Sequence, residues 1–230
     1  MNHHFSGPCP VCNGNDLCQK DVLWPALINS WQLSDTETNY INRQQGYHCK
    51  ACFNNLRAMA LSAAILREYQ FQGSLDQFCE LNQKLSVLEI NQAGNLTKHL
   101  KKIISHRLIE YPEYDMLDLN IESESIDLVI HSDTLEHIPH PERALSECRR
   151  VLRNSGKCIF TAPIITDRMS RSRNGLSPSY HGQSDINASD QLVCTEFGVD
   201  IWKFVIAAGF YSCEIFSLEY PAALVIIAKK

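Results

Sequence analysis

No run of apolar residues in this 230-residue chain approaches the ~20 that a membrane-spanning helix requires. The opening MNHHFSGP has neither the charged nor the apolar region of a secretory signal. These two absences predict a soluble, cytoplasmic protein with no membrane partner. A basic surplus is lacking too: the formal net charge is -5. Residues 1 to 60 set Lys20, Arg43, Lys50 and Arg57 against Asp16, Asp21, Asp35 and Glu37. Phosphate neutralisation dominates nucleic-acid affinity, so this balance argues against a DNA or RNA partner. The loop after the first core strand has no G-x-G-x-x-G, which disfavours a nicotinamide dinucleotide.

What is abundant is cysteine, with ten residues. Cys18, Cys79, Cys148, Cys158, Cys194 and Cys213 are scattered, several inside apolar runs, and read as reduced core residues. The other four form two Cys-x2-Cys pairs, Cys9 with Cys12 and Cys49 with Cys52. Each pair can turn two thiolates toward one ion, and two pairs complete the closed tetrahedral shell of structural Zn2+. Asn13 and Gly14 follow the first pair and permit the positive φ that such a turn requires. Four unrelated buried cysteines is the bland alternative. A redox pair is disfavoured because neither pair opens a helix after a strand. Cys18 and His48 can substitute as ligands but lack the paired spacing. The expectation is a zinc ribbon over residues 1–56, linking helices over 57–84 and an α/β core over 85–230. Within the ribbon too few residues alternate for long strands, so the metal must supply much of the stability.

The core is organised around Ile126 to Pro163. DLVI and CIFTAP are short and almost wholly apolar, as strands covered on both faces are. Between them Ala144, Leu145, Cys148, Val151 and Leu152 share one helical face. Pro141 suits the first helical turn and Gly156 the stop. Strand, helix and strand of these lengths make a parallel βαβ unit, whose ligands gather at the carboxyl ends of the strands. Those ends are His131 to His140 and the residues from Ile164 onward. LSVLEI and HRLIEY read as the preceding strands, Asn54 to about Tyr69 as a helix, QGSLDQFCELNQ as a short helix or a loop. Thr195 to Gly209 reads as a helix with Trp202, Val205 and Ile206 inward, and FYSCEIFSLEY and AALVIIAKK as two closing strands.

IDLVIHSDTLEHI, ALSECRRVL and NSGKCIFTAP resemble, in order and spacing, the middle of the class I S-adenosylmethionine-dependent methyltransferases. The resemblance extends more weakly over residues 85 to 230. It implies a seven-stranded Rossmann-like methyltransferase sheet, S-adenosylmethionine as cofactor, and an acid followed by glycines after the first strand. This chain keeps Glu89 but has Asn91, Ala93 and Asn95 at the glycine positions, with Gly94 between them. Asn tolerates left-handed backbone and Ala adds only a methyl group. By the same resemblance Glu110 accepts the ribose hydroxyls, Asp115 meets the adenine amino group in preference to Asp118, Met116 lies against the ring, and His131 belongs with the cofactor residues. A subgroup of zinc-ribbon methyltransferase-like proteins is also similar in the YHG and TEFGVD segments.

A sulfonium methyl is already electrophilic, so the protein mainly aligns a nucleophile and removes a proton. His131, His137, His140 and His181 are candidate bases, and His137 and His181 are preferred as the catalytic pair. The segment Ile164 to Asp190 is long and polar at the ligand end of a strand. With Arg168, Arg171 and Arg173 it reads as a lid that chooses the acceptor. The function so implied is methyl transfer to a small-molecule or sugar-like acceptor. The alternatives are a silent scaffold whose ribbon binds a protein partner, and a zinc-ribbon RNA methyltransferase.

Overall fold

The computed structural model describes residues 4–180 and 191–230. The chain divides into two compact units. One is Met1–Lys84 with Gly94–Ile104 and Ile215–Val225; the other is Leu85–Ala93 with Ser105–Glu214 and Ile226–Lys230. No helix among the described residues is long and apolar enough to cross a membrane.

In the first unit, two-residue strands β1 (Leu17–Cys18) and β2 (His48–Cys49) pair antiparallel, Leu17 opposite Cys49. The segment between them forms helices α1 (Pro25–Trp31) and α2 (Asp35–Gly46). Ser34 starts α2 with a capping box: its Oγ accepts from Glu37 N at 3.2 Å while Glu37 Oε2 accepts from Ser34 N at 2.8 Å. Helix α3 (Leu56–Glu68) is capped by Asn55 and buries Leu56, Met59, Ala60 and Leu66. The segment left open as a short helix or a loop contains α4 (Leu75–Leu81), started by a second box of Ser74 and Gln77. A 3₁₀ turn, Gly94–Leu96, and α5 (Thr97–Leu100) follow.

One mixed sheet has six strands. They are β3 (Val87–Ile90), β4 (His106–Ile109), β5 (Ile126–Ser132), β6 (Leu152–Thr161), β10 (Ser212–Glu219) and β11 (Ala223–Lys229), in the order β10-β11-β6-β5-β3-β4. Of these, β3, β4, β5 and β6 lie within the second unit. Strands β4, β3, β5 and β6 are parallel and β11 is antiparallel to β6. Helix α6 (Pro141–Val151) makes the expected crossover, and Ala144, Leu145, Cys148, Val151 and Leu152 are all fully buried. It stops at Val151, however, and Gly156 lies inside β6. There a Cβ would stand 2.9 Å from Arg153 O, at a register shift between Leu152 and Lys157.

Among the described residues the central sheet has six strands where seven were expected. The stretch between Glu110 and Ile126 forms turns, and side chains of α6 bond backbone groups of two of its residues. Glu147 Oε2 accepts from Leu119 N at 2.9 Å, and Arg150 donates to Leu119 O at 2.7 Å and Ile121 O at 2.8 Å. Hydrogen bonds to a charged group stabilise by roughly 1.5–3 kcal/mol. Arg150→Ala should therefore lower the urea midpoint measurably without changing its slope.

Thr195 to Gly209 is not one helix. Its first part is strand β9 (Thr195–Gly198), between β7 (Ile164–Ile165) and β8 (Arg171–Ser172) in a separate three-stranded sheet. Only Trp202–Ala207 is helical (α7). Val205 is buried there, but Trp202 and Ile206 are each 45% exposed, so two of the three residues expected inward face solvent. Thr195 and Phe197 alternate inward as strand residues do.

Candidate functional site

Parallel strands bring their carboxyl ends to one edge of the sheet. Ile90 is opposite both Ile109 and His131, which lines up Asn91, Glu110 and Ser132 at that edge. Two residues just beyond the strands hold left-handed backbone, Asn91 at φ 53° and Asp133 at φ 49°. Asn91 thus takes left-handed backbone at a position where the resemblance implies glycine, as its short polar side chain allows. Gly94, at φ 59°, has nothing within 4 Å of where a Cβ would stand, so it is needed for its backbone angle and not for space.

The loop after β3 is held by side chains. Glu89 is fully buried, and its Oε1 accepts from Ala93 N at 2.8 Å. Its Oε2 lies 2.8 Å from His106 Nε2, a nitrogen that must donate because a carboxylate accepts. Asn91 Oδ1 accepts from Tyr111 N at 3.1 Å, and Gln92 Nε2 donates to Glu110 Oε1 at 3.0 Å. Sequence reasoning missed His106 and Gln92. His106 sits opposite Val87, one diagonal step from Glu89, and which strands are neighbours is not written in the chain.

Glu110 is exposed immediately after β4. Asp115 is exposed, with Oδ1 accepting from Leu117 N at 2.8 Å, while Met116 is buried. His131 is placed differently. Its ring is fully buried, stacks on Phe160 at 4.5 Å and lies within 4.8 Å of the thiols of Cys148 and Cys158. Burial pushes its pKa down to about 3, so the imidazole is neutral. It lies in the core, not at the solvent edge. His137, closing the 3₁₀ turn Leu135–His137, is half-buried. Its Nδ1 donates to Leu192 O at 3.0 Å and its Nε2 faces Glu136 Oε1 at 3.6 Å. With Nδ1 committed to a carbonyl, Nε2 is the nitrogen that can take a proton. His140 is exposed, and His181 lies outside the described residues.

Of the three arginines in the segment from Ile164, Arg171 and Arg173 both pair with Glu196, the first at 2.6 Å. Burial pushes Glu196 up, but the two guanidiniums more than offset it and hold the carboxyl below its usual range. Two guanidiniums thus share one carboxylate there. Ile165, Arg168, Met169, Arg171, Glu196 and Phe197 line a cavity of about 360 Å³.

Within the first unit Cys9, Cys12, Cys49 and Cys52 bring their sulfurs within 4.8 Å of one another. Cys9 Sγ is 3.6 Å from Cys52 Sγ, and Cys12 Sγ is 3.7 Å from Cys49 Sγ. Zinc–sulfur bonds of ~2.3 Å set tetrahedral sulfurs about 3.8 Å apart, so the donor set fits the ion. The two turns are built alike. Asn13 N donates to Cys9 O and Phe53 N to Cys49 O, each at 2.8 Å, with φ of 61° at Asn13 and 60° at Phe53. Gly14 has no positive φ; a Cβ there would stand 3.1 Å from Cys49 Sγ, so its role is to leave room for sulfur. Lys98 Nζ donates to the backbone oxygen of Cys52 at 2.8 Å.

Comparison with known proteins bears on the second unit most. Residues 72–160 match a family described as a methyltransferase domain. No curated protein matches the chain. Among solved structures, a SAM-dependent methyltransferase from Thermotoga maritima is similar at 14% identity over 74% of this chain and 98% of its own, with a TM-score of 0.39. One from Aquifex aeolicus is similar at 9% identity over 66% of this chain and 85% of its own, with a TM-score of 0.41. The matched residues contain β3, β4, β5 and α6 of an α/β fold.

Proposed function

We propose that the protein transfers a methyl group from S-adenosylmethionine to a small-molecule or sugar-like acceptor, with a structural Zn2+ held by Cys9, Cys12, Cys49 and Cys52. The observation that carries this reading is the sheet edge where Asn91, Glu110 and Ser132 line up at the ends of parallel strands, inside a segment that matches a methyltransferase domain. Glu89, Asn91, Ala93 and Gly94 shape the cofactor loop. Glu110 takes the ribose hydroxyls, with Gln92 fixing one of its oxygens. Asp115 and Met116 serve the adenine. Bound S-adenosylmethionine supplies the electrophilic methyl; the chain orients the acceptor and removes its proton at His137 Nε2. The part-apolar cavity at Arg168 and Arg171 supports an acceptor that carries an acidic group. Residues 1–56 then form the zinc ribbon, 57–84 the linking helices and 85–230 the catalytic core.

Calorimetry with S-adenosylmethionine and S-adenosylhomocysteine tests the reading directly. Losing a hydrogen bond to a charged partner costs on the order of 1.5–3 kcal/mol, so Glu110→Ala should weaken cofactor binding by at least ~10-fold. Asp115→Ala should weaken it less, since that carboxylate is already engaged by Leu117 N. Unchanged affinity in both variants would place the cofactor elsewhere. A second reading, a scaffold that binds partners through its ribbon and performs no chemistry, is favoured by Asn91, Ala93 and Asn95 standing where glycines are expected. Native protein that binds neither ligand would establish it over the first.

A further inference from the structure

The loop between β3 and β4 has a single left-handed glycine, Gly94, and yet holds a second left-handed residue, Asn91, that is not glycine. We propose that His106 is a positioning residue for this loop: by donating to Glu89 it fixes the carboxylate that grips Ala93 N–H, and so sets the backbone against which the cofactor is bound. The role rests on the cofactor reading above.

The geometry is a short relay. His106 opens β4, and its side chain is 3% exposed against 0% for that of Glu89. The Nε2 to Oε2 distance is 2.8 Å and the Oε1 to Ala93 N distance is also 2.8 Å. A carboxylate held at both oxygens cannot rotate about its terminal bond without losing one partner. Ala93 N is the amide of the loop's third residue, so its bond to Glu89 fixes the loop's path four residues downstream of the acid. Two further contacts tie the same loop to the end of β4, Asn91 Oδ1 with Tyr111 N and Gln92 Nε2 with Glu110 Oε1. Side-chain hydrogen bonds across β3 and β4 thereby hold the part of the loop that precedes Gly94. Glu89, on this account, acts on the cofactor through Ala93 and does not touch it: its side chain is wholly buried and both oxygens face protein donors.

The test uses the full chain with His106→Leu, which keeps bulk without a donor, and His106→Gln, which restores one. Amide hydrogen exchange at Ala93, read by NMR on the ligand-free protein, reports the loop directly. It should rise at least ~10-fold in the leucine variant and return most of the way in the glutamine variant, with amides of β5 unchanged. S-adenosylhomocysteine affinity should fall and recover in parallel, while turnover at saturating cofactor changes little. Should the leucine variant not fold, His106→Asn, whose shorter amide falls short of Glu89, takes its place. Unaltered Ala93 exchange overturns the proposal. So does an equal rise in the leucine and glutamine variants, which would mean that imidazole packing and not its hydrogen bond acts. If wild-type protein binds no S-adenosylhomocysteine but Ala93 exchange follows the expected pattern, the cofactor reading fails and the positioning of the loop stands.

Discussion

Cys12→Ser should strip the chain of one zinc ion and loosen the first unit while leaving the β3–β6 sheet folded. Serine oxygen stays protonated at neutral pH, so the variant has three thiolates for an ion that takes four ligands. Structural zinc in finger-like modules binds with roughly 10–16 kcal/mol of apparent free energy, all of it coupled to folding. In this chain the module between the cysteine pairs has two-residue strands and two short helices, which bury too little to replace that term. Plasma emission on dialysed protein should give one zinc per wild-type chain and close to none in the variant. Circular dichroism should show partial loss of helix, with a cooperative melt retained for the core. Fully folded, metal-free wild-type protein would sink the zinc site.

His137→Ala should lower the turnover number by ~10²–10⁴-fold and leave S-adenosylhomocysteine affinity within about two-fold, because proton removal is the step the ring supplies. The imidazole is already oriented: Leu192 O holds Nδ1 and Glu136 stands 3.6 Å from Nε2. A third group that fixes the tautomer of a base is the arrangement general-base chemistry needs. The measurement is transfer of label from methyl-labelled S-adenosylmethionine into a small-molecule extract. Full turnover by the alanine variant would move the base to another residue, with His181 the next candidate.

Some elements were plain in the chain because one local pattern specifies them. The apolar face of α6, from Ala144 to Leu152, and the wholly apolar DLVI and CIFTAP predict a crossover between two covered strands, and the βαβ unit is there. Other elements were decided by partners far away in sequence. Among the described residues no seventh strand joins the central sheet, and Glu147 and Arg150 of α6 hold the backbone of Leu119 and Ile121 in turns. TEFG reads as the start of a helix in isolation but becomes a strand because Ile164 and Ser172 offer it two ladders. The helices between the cysteine pairs carry little apolar periodicity, and the local signal for α2 is the capping box S-D-T-E at Ser34 to Glu37.

The two sites divide along the same line. Cys9, Cys12, Cys49 and Cys52 announce a donor set by spacing alone, because two residues between cysteines suffice to turn both sulfurs toward one point; the folded chain adds that the sulfurs stand at zinc-like separations. Glu89 and Glu110 were implied by the resemblance to the methyltransferases. That Glu89 is buried and bound to His106 and Ala93, that His131 lies in the core beside Phe160, and that Arg171 and Arg173 share Glu196 were settled only by tertiary structure. The physical reason is that a side chain's chemistry depends on its solvent and its partners. Sequence specifies the group and, through local periodicity, the element that carries it; which strand lies beside it, and so which donor it meets, is decided when distant segments pack.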